Sequence, residues 1–207
     1  MKVWLFAFVT LALATGCGKE SSKGDDTPSD DNDEQAVFNL NGLNGTVYQA
    51  DCWVNDDKTR SGLETIVFQQ SSFEKVWVNF DGTTCDAAAK RSSYHYLLAK
   101  VKKNALSDLE GWETYTFEYA ALSLVVHQQA IAEAFNKYQV YDHGDWQVEE
   151  PQDIAGRKYS PEDEPEFTPG TVRVVTVKIE SDTFQFAAYK DGKANADDTY
   201  LFRKISP

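Results

Sequence analysis

One short segment, Tyr141–Trp146, places a histidine between two carboxylates, an arrangement from which acid–base chemistry could start. An imidazole held between Asp142 and Asp145 can donate or accept a proton, or can bind a metal together with distant ligands. The same residue types, together with Gly144, are ordinary turn formers, and a solvated turn is the interpretation that we favour. An enzyme that uses His143 is the last of our three functional hypotheses.

The usual signatures of catalysis are missing from the sequence. It contains no Gly-x-Ser-x-Gly elbow, no phosphate-binding loop and no dinucleotide fingerprint. Paired acids occur at Glu149-Glu150 and at Glu162–Glu164. Glycoside hydrolysis needs two carboxyls held across a cleft, and adjacent acids in a proline-rich loop do not meet that requirement. We therefore predict no catalytic residue and no cofactor, and we favour a non-enzymatic protein.

The chain has three cysteines, Cys17, Cys52 and Cys85. An odd number leaves one thiol unpaired, which is unfavourable in an exported protein. If Cys17 carries a lipid, the other two remain to form a disulfide, which an oxidising compartment favours. A zinc site would need more ligands at short spacing than two distant cysteines and three scattered histidines provide. The histidines are His95, His127 and His143. We therefore predict a Cys52–Cys85 disulfide and no metal site.

The first seventeen residues have the anatomy of a secretory signal peptide. A lysine supplies a positive charge, and the apolar stretch Val3–Ala14 is too short to span a bilayer as a stable helix. Leu13–Cys17 resembles a bacterial lipobox, in which the cysteine is lipidated and becomes the new N-terminus. We predict a signal peptide over residues 1–16 and a lipid anchor on Cys17. The alternative is a plain signal peptide cut nearby, which would leave Cys17 free.

A polar, acidic segment follows the lipobox. Residues 18–35 contain two lysines, seven carboxylates and no large apolar residue, so the segment repels itself and cannot bury a core. The acidic run Asp30–Asp33 lacks the glycine and the distal glutamate of an EF-hand loop, so calcium is not favoured. We predict that residues 17–35 form a tether. Gly18 after the cysteine favours anchoring in the outer membrane.

The whole chain is acidic, with 33 acidic and 20 basic residues and a formal net charge of −13. Such a protein is not expected to bind nucleic acid, or to dock on anionic lipid through its charge. It is compatible with a cationic partner. Residues 36–207 are enough for one hydrophobic core and too few to suggest two, so we predict a single folded domain there.

Eight segments of this domain alternate apolar and polar residues with the period of two that half-buried strands show. They are Gly45–Trp53, Leu63–Gln70, Phe73–Phe80, Tyr94–Val101, Glu113–Tyr119, Thr171–Ile179, Thr183–Tyr189 and Thr199–Ile205. Turn-forming residues separate most of them. Eight short antiparallel strands joined by tight turns predict a mainly β domain, either a barrel or a sandwich.

One segment has a different period. From Leu122 to Tyr138, apolar residues fall on one face of an amphipathic helix, with Ser123 as its N-cap. We expect this helix to pack across the barrel wall or over one mouth, with His127 as a partly buried packing residue. The stretch Asp145–Gly170 contains four prolines and many acids. It predicts a long loop between strands, which could act as a lid.

The landmarks of the domain also follow a recognisable order. Leu43–Val47 leads into Cys52-Trp53, Phe80–Cys85 joins a strand end to the next cysteine, and Tyr200–Lys204 is the closing strand. This order resembles that of small lipocalin-like (calycin-type) lipoproteins of Gram-negative bacteria. The resemblance implies an antiparallel eight-stranded lipocalin-like barrel, here with one amphipathic helix, and a cavity for a small apolar or amphipathic molecule.

The resemblance to lipocalins can be compared at the residues that close one end of the lipocalin barrel. In lipocalins a Gly-x-Trp near the first strand packs beneath an arginine of the last strand. Gly45 and Arg203 occupy comparable places in this sequence, but Val47 stands where the tryptophan would be. The departure weakens assignment to lipocalins proper. An eight-stranded barrel can also be filled by its own side chains, so the pattern does not establish a cavity.

We expect a non-enzymatic binding module for a small apolar or amphipathic ligand. Aromatic side chains stack on ligands at pocket mouths, although core packing is their commoner role. The candidates for the lining are Trp53, Trp77, Trp112 and Tyr119. The alternative is a tethered acidic domain that binds a cationic protein, in the manner of periplasmic lysozyme-inhibitor lipoproteins. Salt should weaken such binding sharply.

Overall fold

The computed structural model describes residues 43–103, 109–163, 165, 167–190 and 193–206. The predicted signal peptide, lipid anchor and tether, residues 1–35, lie outside these residues. The described ranges form ten strands and one α-helix. The elements are β1 (Val47–Ala50), β2 (Trp53–Val54), β3 (Arg60–Phe68), β4 (Phe73–Asp81), β5 (Lys90–Lys103), β6 (Glu113–Val126), α1 (Gln129–Tyr138), β7 (Pro151–Asp153), β8 (Val172–Ile179), β9 (Thr183–Lys190) and β10 (Lys193–Ser206).

Eight of the strands form a closed antiparallel barrel. They pair in the order β1–β3–β4–β5–β6–β8–β9–β10, and β10 pairs with β1 to close the ring. The short strands β2 and β7 pair with parts of β3 and β6 outside this ring. The predicted mainly β fold, an eight-stranded antiparallel barrel with a single helix, is confirmed.

Strand register decides which side chains face the interior, because directly paired residues of an antiparallel ladder share a face. Three rows of side chains cross β3, β4, β5 and β6. The rows are Phe68, Phe73, Leu98 and Tyr119; Ile66, Lys75, Tyr96 and Leu122; and Glu64, Trp77, Tyr94 and Leu124. Most of these residues belong to the buried core, so the rows face inwards. The alternate residues, among them Ser93 and His95, face outwards.

The predicted disulfide between Cys52 and Cys85 is present, with the two Cα atoms 5.9 Å apart. Cys52 lies between β1 and β2, and Cys85 lies between β4 and β5. The bond therefore joins two connections at one end of the barrel, which we call the disulfide end. The opposite end holds the β3–β4 and β8–β9 turns, and we call it the turn end.

The helix starts later than the sequence predicts. It covers Gln129–Tyr138, whereas Leu122–Val126 completes β6. The three apolar residues at alternate positions of that stretch are buried, and the stretch pairs with both β5 and β7, so its period of two prevails over the helical spacing. Ser123 is therefore a strand residue. The N-cap is Gln128, whose side chain makes no capping hydrogen bond.

Other boundaries differ from the predicted ones in smaller ways. The predicted strand Gly45–Trp53 is divided, because pairing with β10 stops at Ala50 and Trp53 pairs with β3 instead. Strands β5 and β10 begin earlier than predicted, and β6 extends further. The predicted loop Asp145–Gly170 includes β7, which pairs with the second half of β6.

Asp81, the last residue of β4, fastens the start of the helix to the barrel. Gln128 Nε2 donates to one carboxylate oxygen at 2.9 Å, and Arg91 Nη1 donates to the other at 2.5 Å. The hydrogen bond from Gln128, with the Arg91 pair beside it, holds the pKa of Asp81 below its ordinary value because both favour the ionised carboxylate.

We expect Asp81→Asn to lower the free energy of unfolding by less than about 1 kcal/mol at neutral pH, because partly exposed ion pairs contribute little. The pKa is depressed in the folded state, so the contribution is present above the unfolded-state pKa and is lost as pH falls through the folded-state pKa. Urea denaturation across pH should show the variant and the parent converging in acid. Asp56→Asn, in an exposed turn, controls for net charge. Curves that stay parallel into acid would contradict this account.

Candidate functional site

An ion pair lies inside the barrel, at the level of its middle row. Lys75 Nζ is 3.5 Å from Glu64 Oε1, and the two side chains are only 22% and 15% exposed. The same Nζ lies 5.1 Å from the ring centroid of Tyr96 and 5.8 Å from that of Trp77, within the range of cation–π contacts. Burying two charges costs desolvation energy, so an ion pair is an unusual feature in an interior lined mainly by apolar side chains.

Trp77 carries a buried donor next to this ion pair. Its Nε1 has no hydrogen-bond partner among the described residues. The Trp53 indole meets the Trp77 indole edge to face, with the centroids 6.0 Å apart. Trp53 is 38% exposed, so the pair of indoles reaches from the interior to the surface at the disulfide end. An unsatisfied buried N–H costs about 1–3 kcal/mol, which an acceptor atom on a ligand would recover.

Gly62 makes room for the Trp53 indole. The two residues pair in the ladder between β2 and β3. A Cβ atom at Gly62 would lie 2.4 Å from Trp53 Cε2 and Nε1, too close for any real contact. A glycine at this position therefore allows the indole to lie flat over the strand and to reach Trp77.

Apolar side chains fill most of the turn end in the part of the chain that the structure describes. A cavity of about 20 Å³ remains there, which is room for about one water molecule, whereas ligand sites usually exceed about 300 Å³. Its lining is Phe68, Phe73, Val101, Tyr115, Val175, Val177, Ile179, Phe184 and Phe186. The Tyr115 hydroxyl donates to Glu113. Burial, and then the Glu113 carboxylate, raise the pKa of Tyr115, so its hydroxyl stays neutral.

The four aromatic residues predicted to line a pocket are not all in one place. Trp53 and Trp77 are in contact at the disulfide end. Tyr119 is buried inside, with its ring 4.3 Å from Phe167 of the long loop. Trp112 is half-buried in the connection before β6, at the turn end. None of these four side chains lines the cavity among the described residues, and Lys75, Glu64 and Gly62 were not singled out from the sequence.

The segment around His143 is a turn anchored by its own aromatic residues. Tyr141 and Trp146 are buried, and the His143 ring packs against Trp146 with the centroids 5.5 Å apart. His143 Nδ1 is 3.4 Å from Asp145, and its Nε2 is 3.3 Å from the carbonyl oxygen of Asp153. These contacts hold the imidazole against the loop rather than in a cleft with a nucleophile.

A second histidine cluster was missed from the sequence. His127 lies between β6 and α1 rather than on a helix, and its Nε2 is 3.0 Å from Ser93 Oγ. His95 Nε2 approaches the same hydroxyl at 3.0 Å. The two imidazoles are distant in sequence, and only the pairing of Ser93 with Val125 in the β5–β6 ladder brings them together.

Comparisons with known proteins do not assign the chain to a family: it matches no family model and no curated protein. Within the described ranges, no group of three or more His, Cys, Asp or Glu side chains is arranged to hold a metal ion. In the part of the chain that the structure describes, no helix is long and apolar enough to cross a membrane.

Proposed function

We propose that this chain is a lipid-anchored protein of the bacterial cell envelope whose lipocalin-like barrel binds a small amphipathic ligand at its disulfide end. The lipobox that ends at Cys17 and the acidic tether behind it support the anchor, and Gly18 supports the outer membrane as its location. The closed eight-stranded barrel and the Cys52–Cys85 bond support the lipocalin-like assignment.

The unpartnered Nε1 of Trp77 is the observation that carries the ligand-binding proposal. It is a hydrogen-bond donor inside an aromatic environment, next to an indole that is partly exposed. Binding sites for small molecules typically combine apolar walls with a few fixed polar groups of this kind. The proposed site consists of Trp53, Trp77, Lys75 and Glu64.

The shape of the interior restricts the class of ligand. The cavity of about 20 Å³ that the described residues line at the turn end is too small for a long apolar chain. A ring or short apolar group that contacts the indoles of Trp53 and Trp77 fits better, with an acceptor atom for Trp77 Nε1. Lys75 and Glu64 together are charge-balanced, so they suit a neutral or zwitterionic polar group. This amphipathic class is narrower than the one that the sequence suggests.

Native mass spectrometry of the full chain, purified from membranes in mild detergent, tests the proposal. We expect a polypeptide that begins at lipid-modified Cys17 and retains a small amphipathic molecule. The retained molecule then serves as the probe in titrations monitored by tryptophan fluorescence. Trp53→Ala and Gly62→Ala should each weaken its binding by about tenfold, because each removes or displaces one aromatic contact.

Trp112→Ala is the matched control for these titrations, because it removes an indole at the opposite end of the barrel. It should leave the affinity unchanged. A chain that purifies without any bound small molecule would count against the proposal, as would equal losses of affinity in the Trp53 and Trp112 variants.

A cationic protein partner is the second candidate, and the net charge of −13 favours it. From residue 139 to residue 156 the chain carries five acidic residues and no lysine or arginine. If the full chain retains no small molecule but captures a basic lysozyme, and if added salt abolishes the capture, this candidate replaces the first. Electrostatically driven binding between exposed charges is screened in this way.

A further inference from the structure

The outer face of the barrel carries a chain of five hydrogen-bonding side chains centred on Ser93. His95 Nε2 and His127 Nε2 each lie 3.0 Å from Ser93 Oγ. On the far side of each imidazole stands a carboxylate: Glu74 Oε1 is 3.0 Å from His95 Nδ1, and Glu149 Oε1 is 2.9 Å from His127 Nδ1. The order across the surface is therefore Glu, His, Ser, His, Glu.

The two carboxylates determine where the imidazole protons lie. An ionised carboxylate accepts hydrogen bonds only, so each Nδ1 must carry the proton and donate it. The Nε2 atoms of both imidazoles therefore face one hydroxyl. Ser93 Oγ has a single proton, so it can donate to only one of the two Nε2 atoms that lie 3.0 Å from it.

A nucleophilic role for Ser93 fits these observations less well. Its neighbours have the order of a serine–histidine–carboxylate triad, but the serine is only 4% exposed. The residue lies in the middle of β5, which pairs with β4 on one side and with β6 on the other. Its backbone therefore belongs to the hydrogen-bonded ladders and is not available to stabilise an oxyanion.

We propose that His95 and His127 bind one divalent transition-metal cation, of the Zn²⁺ or Cu²⁺ class, through their Nε2 atoms on the outer wall of the barrel. Imidazole nitrogens suit these metals. The Ser93 hydroxyl and water complete the coordination, since the chain contributes two strong ligands. Histidines that bind metals usually donate their other N–H to a carboxylate, which is the arrangement that Glu74 and Glu149 provide.

Charge supports the same conclusion. The carboxylates of Glu74 and Glu149 stand behind the two imidazoles, and their negative charge favours a cation at the cluster. The side chains of His95 and His127 are 34% and 13% exposed, so the cluster borders the protein surface on the His95 side. The spacing of the histidines along the sequence does not favour zinc, because they are scattered. The β5–β6 register removes that objection for this pair.

Isothermal titration calorimetry tests the proposal. The full chain, untagged and stripped of metal with EDTA, is titrated with ZnCl₂ and, in a separate experiment, with CuSO₄. We expect one ion per chain. His95→Asn and His127→Asn should abolish binding, and Glu149→Gln should weaken it by about 10–100-fold through the loss of ligand orientation. His143→Asn is the matched control and should bind as the parent does.

Nuclear magnetic resonance of ¹⁵N-histidine in the unmutated chain guards against variants that fail to fold. Addition of Zn²⁺ should shift the Nε2 resonances of His95 and His127 and leave those of His143 in place. Absence of binding to the parent chain would overturn the proposal. Binding by His95→Asn or His127→Asn as tight as that of the parent, or shifts confined to His143, would overturn it as well.

Discussion

Replacing Phe184 by alanine should lower the free energy of unfolding by about 3–5 kcal/mol, the range for truncating a buried aromatic side chain. Phe184 of β9 is 3% exposed. Its ring centroid lies 5.3 Å from that of Phe68, 5.8 Å from that of Tyr48 and 6.1 Å from that of Phe202. These partners belong to β3, β1 and β10, so the ring links the strands at which the barrel closes.

Because of the local packing, we expect the loss of unfolding free energy to fall in the upper part of the range of about 3–5 kcal/mol. Phe184 already borders the cavity of about 20 Å³, so its removal enlarges an existing void instead of creating one that neighbours could fill. The cost of a core truncation grows with the volume of the residual cavity. Strands on both sides of the ring are fixed by their ladders and cannot move inwards independently.

Urea denaturation followed by circular dichroism measures the change. Tyr138→Ala is a suitable control, because Tyr138 is an aromatic residue that is 70% exposed at the end of the helix. Its loss should change stability by no more than about 0.5 kcal/mol. A Phe184→Ala loss as small as that of the control would mean that the closing strands do not depend on this ring.

The barrel could be predicted from the sequence because its strands carry a local signal. Alternation of apolar and polar residues, broken by turn residues, identified all eight barrel strands. The start of the helix could not be predicted in the same way. Leu122–Val126 has apolar residues at spacings that fit both a strand and a helix, and pairing with β5 and β7 decided between them. That pairing is a tertiary contact, which a local pattern does not contain.

The interior site depends on register, which explains why only part of it was predicted. The indoles of Trp53 and Trp77 were candidates because of their residue type. Lys75 lies in a strand whose apolar residues occupy both faces, so the alternation did not single it out. Its pairing opposite Ile66 and Tyr96 places it inside. A shift of one residue in that register would have turned it outwards.

The contact between the two histidines also depends on strand register, and it joins residues that are farther apart in the sequence. His95 and His127 come together because Ser93 pairs with Val125, two residues before His127. No spacing rule along the chain signals this contact. The disulfide was different, because the count of cysteines and the lipobox together left only one pairing to consider.

Removing the disulfide should lower the free energy of unfolding by about 3–4 kcal/mol, the value that chain entropy gives for a loop of this length. The bond closes a loop between residues 33 apart, so the unfolded chain gains much freedom when it is absent. The double variant Cys52→Ser/Cys85→Ser should show this loss in urea denaturation without reductant.

The parent chain under reducing conditions is the matched control for this variant, and the two should unfold together. Cys52 immediately precedes Trp53, so reduction should also free the exposed indole and change its fluorescence, while the signal of the other tryptophans changes less. A variant as stable as the oxidised parent would mean that the ladders alone hold the disulfide end. A stability loss with unaltered Trp53 fluorescence would mean that the bond acts on the unfolded chain and does not position the indole. In that case Gly62 and the β2–β3 pairing would be sufficient to seat Trp53 against Trp77.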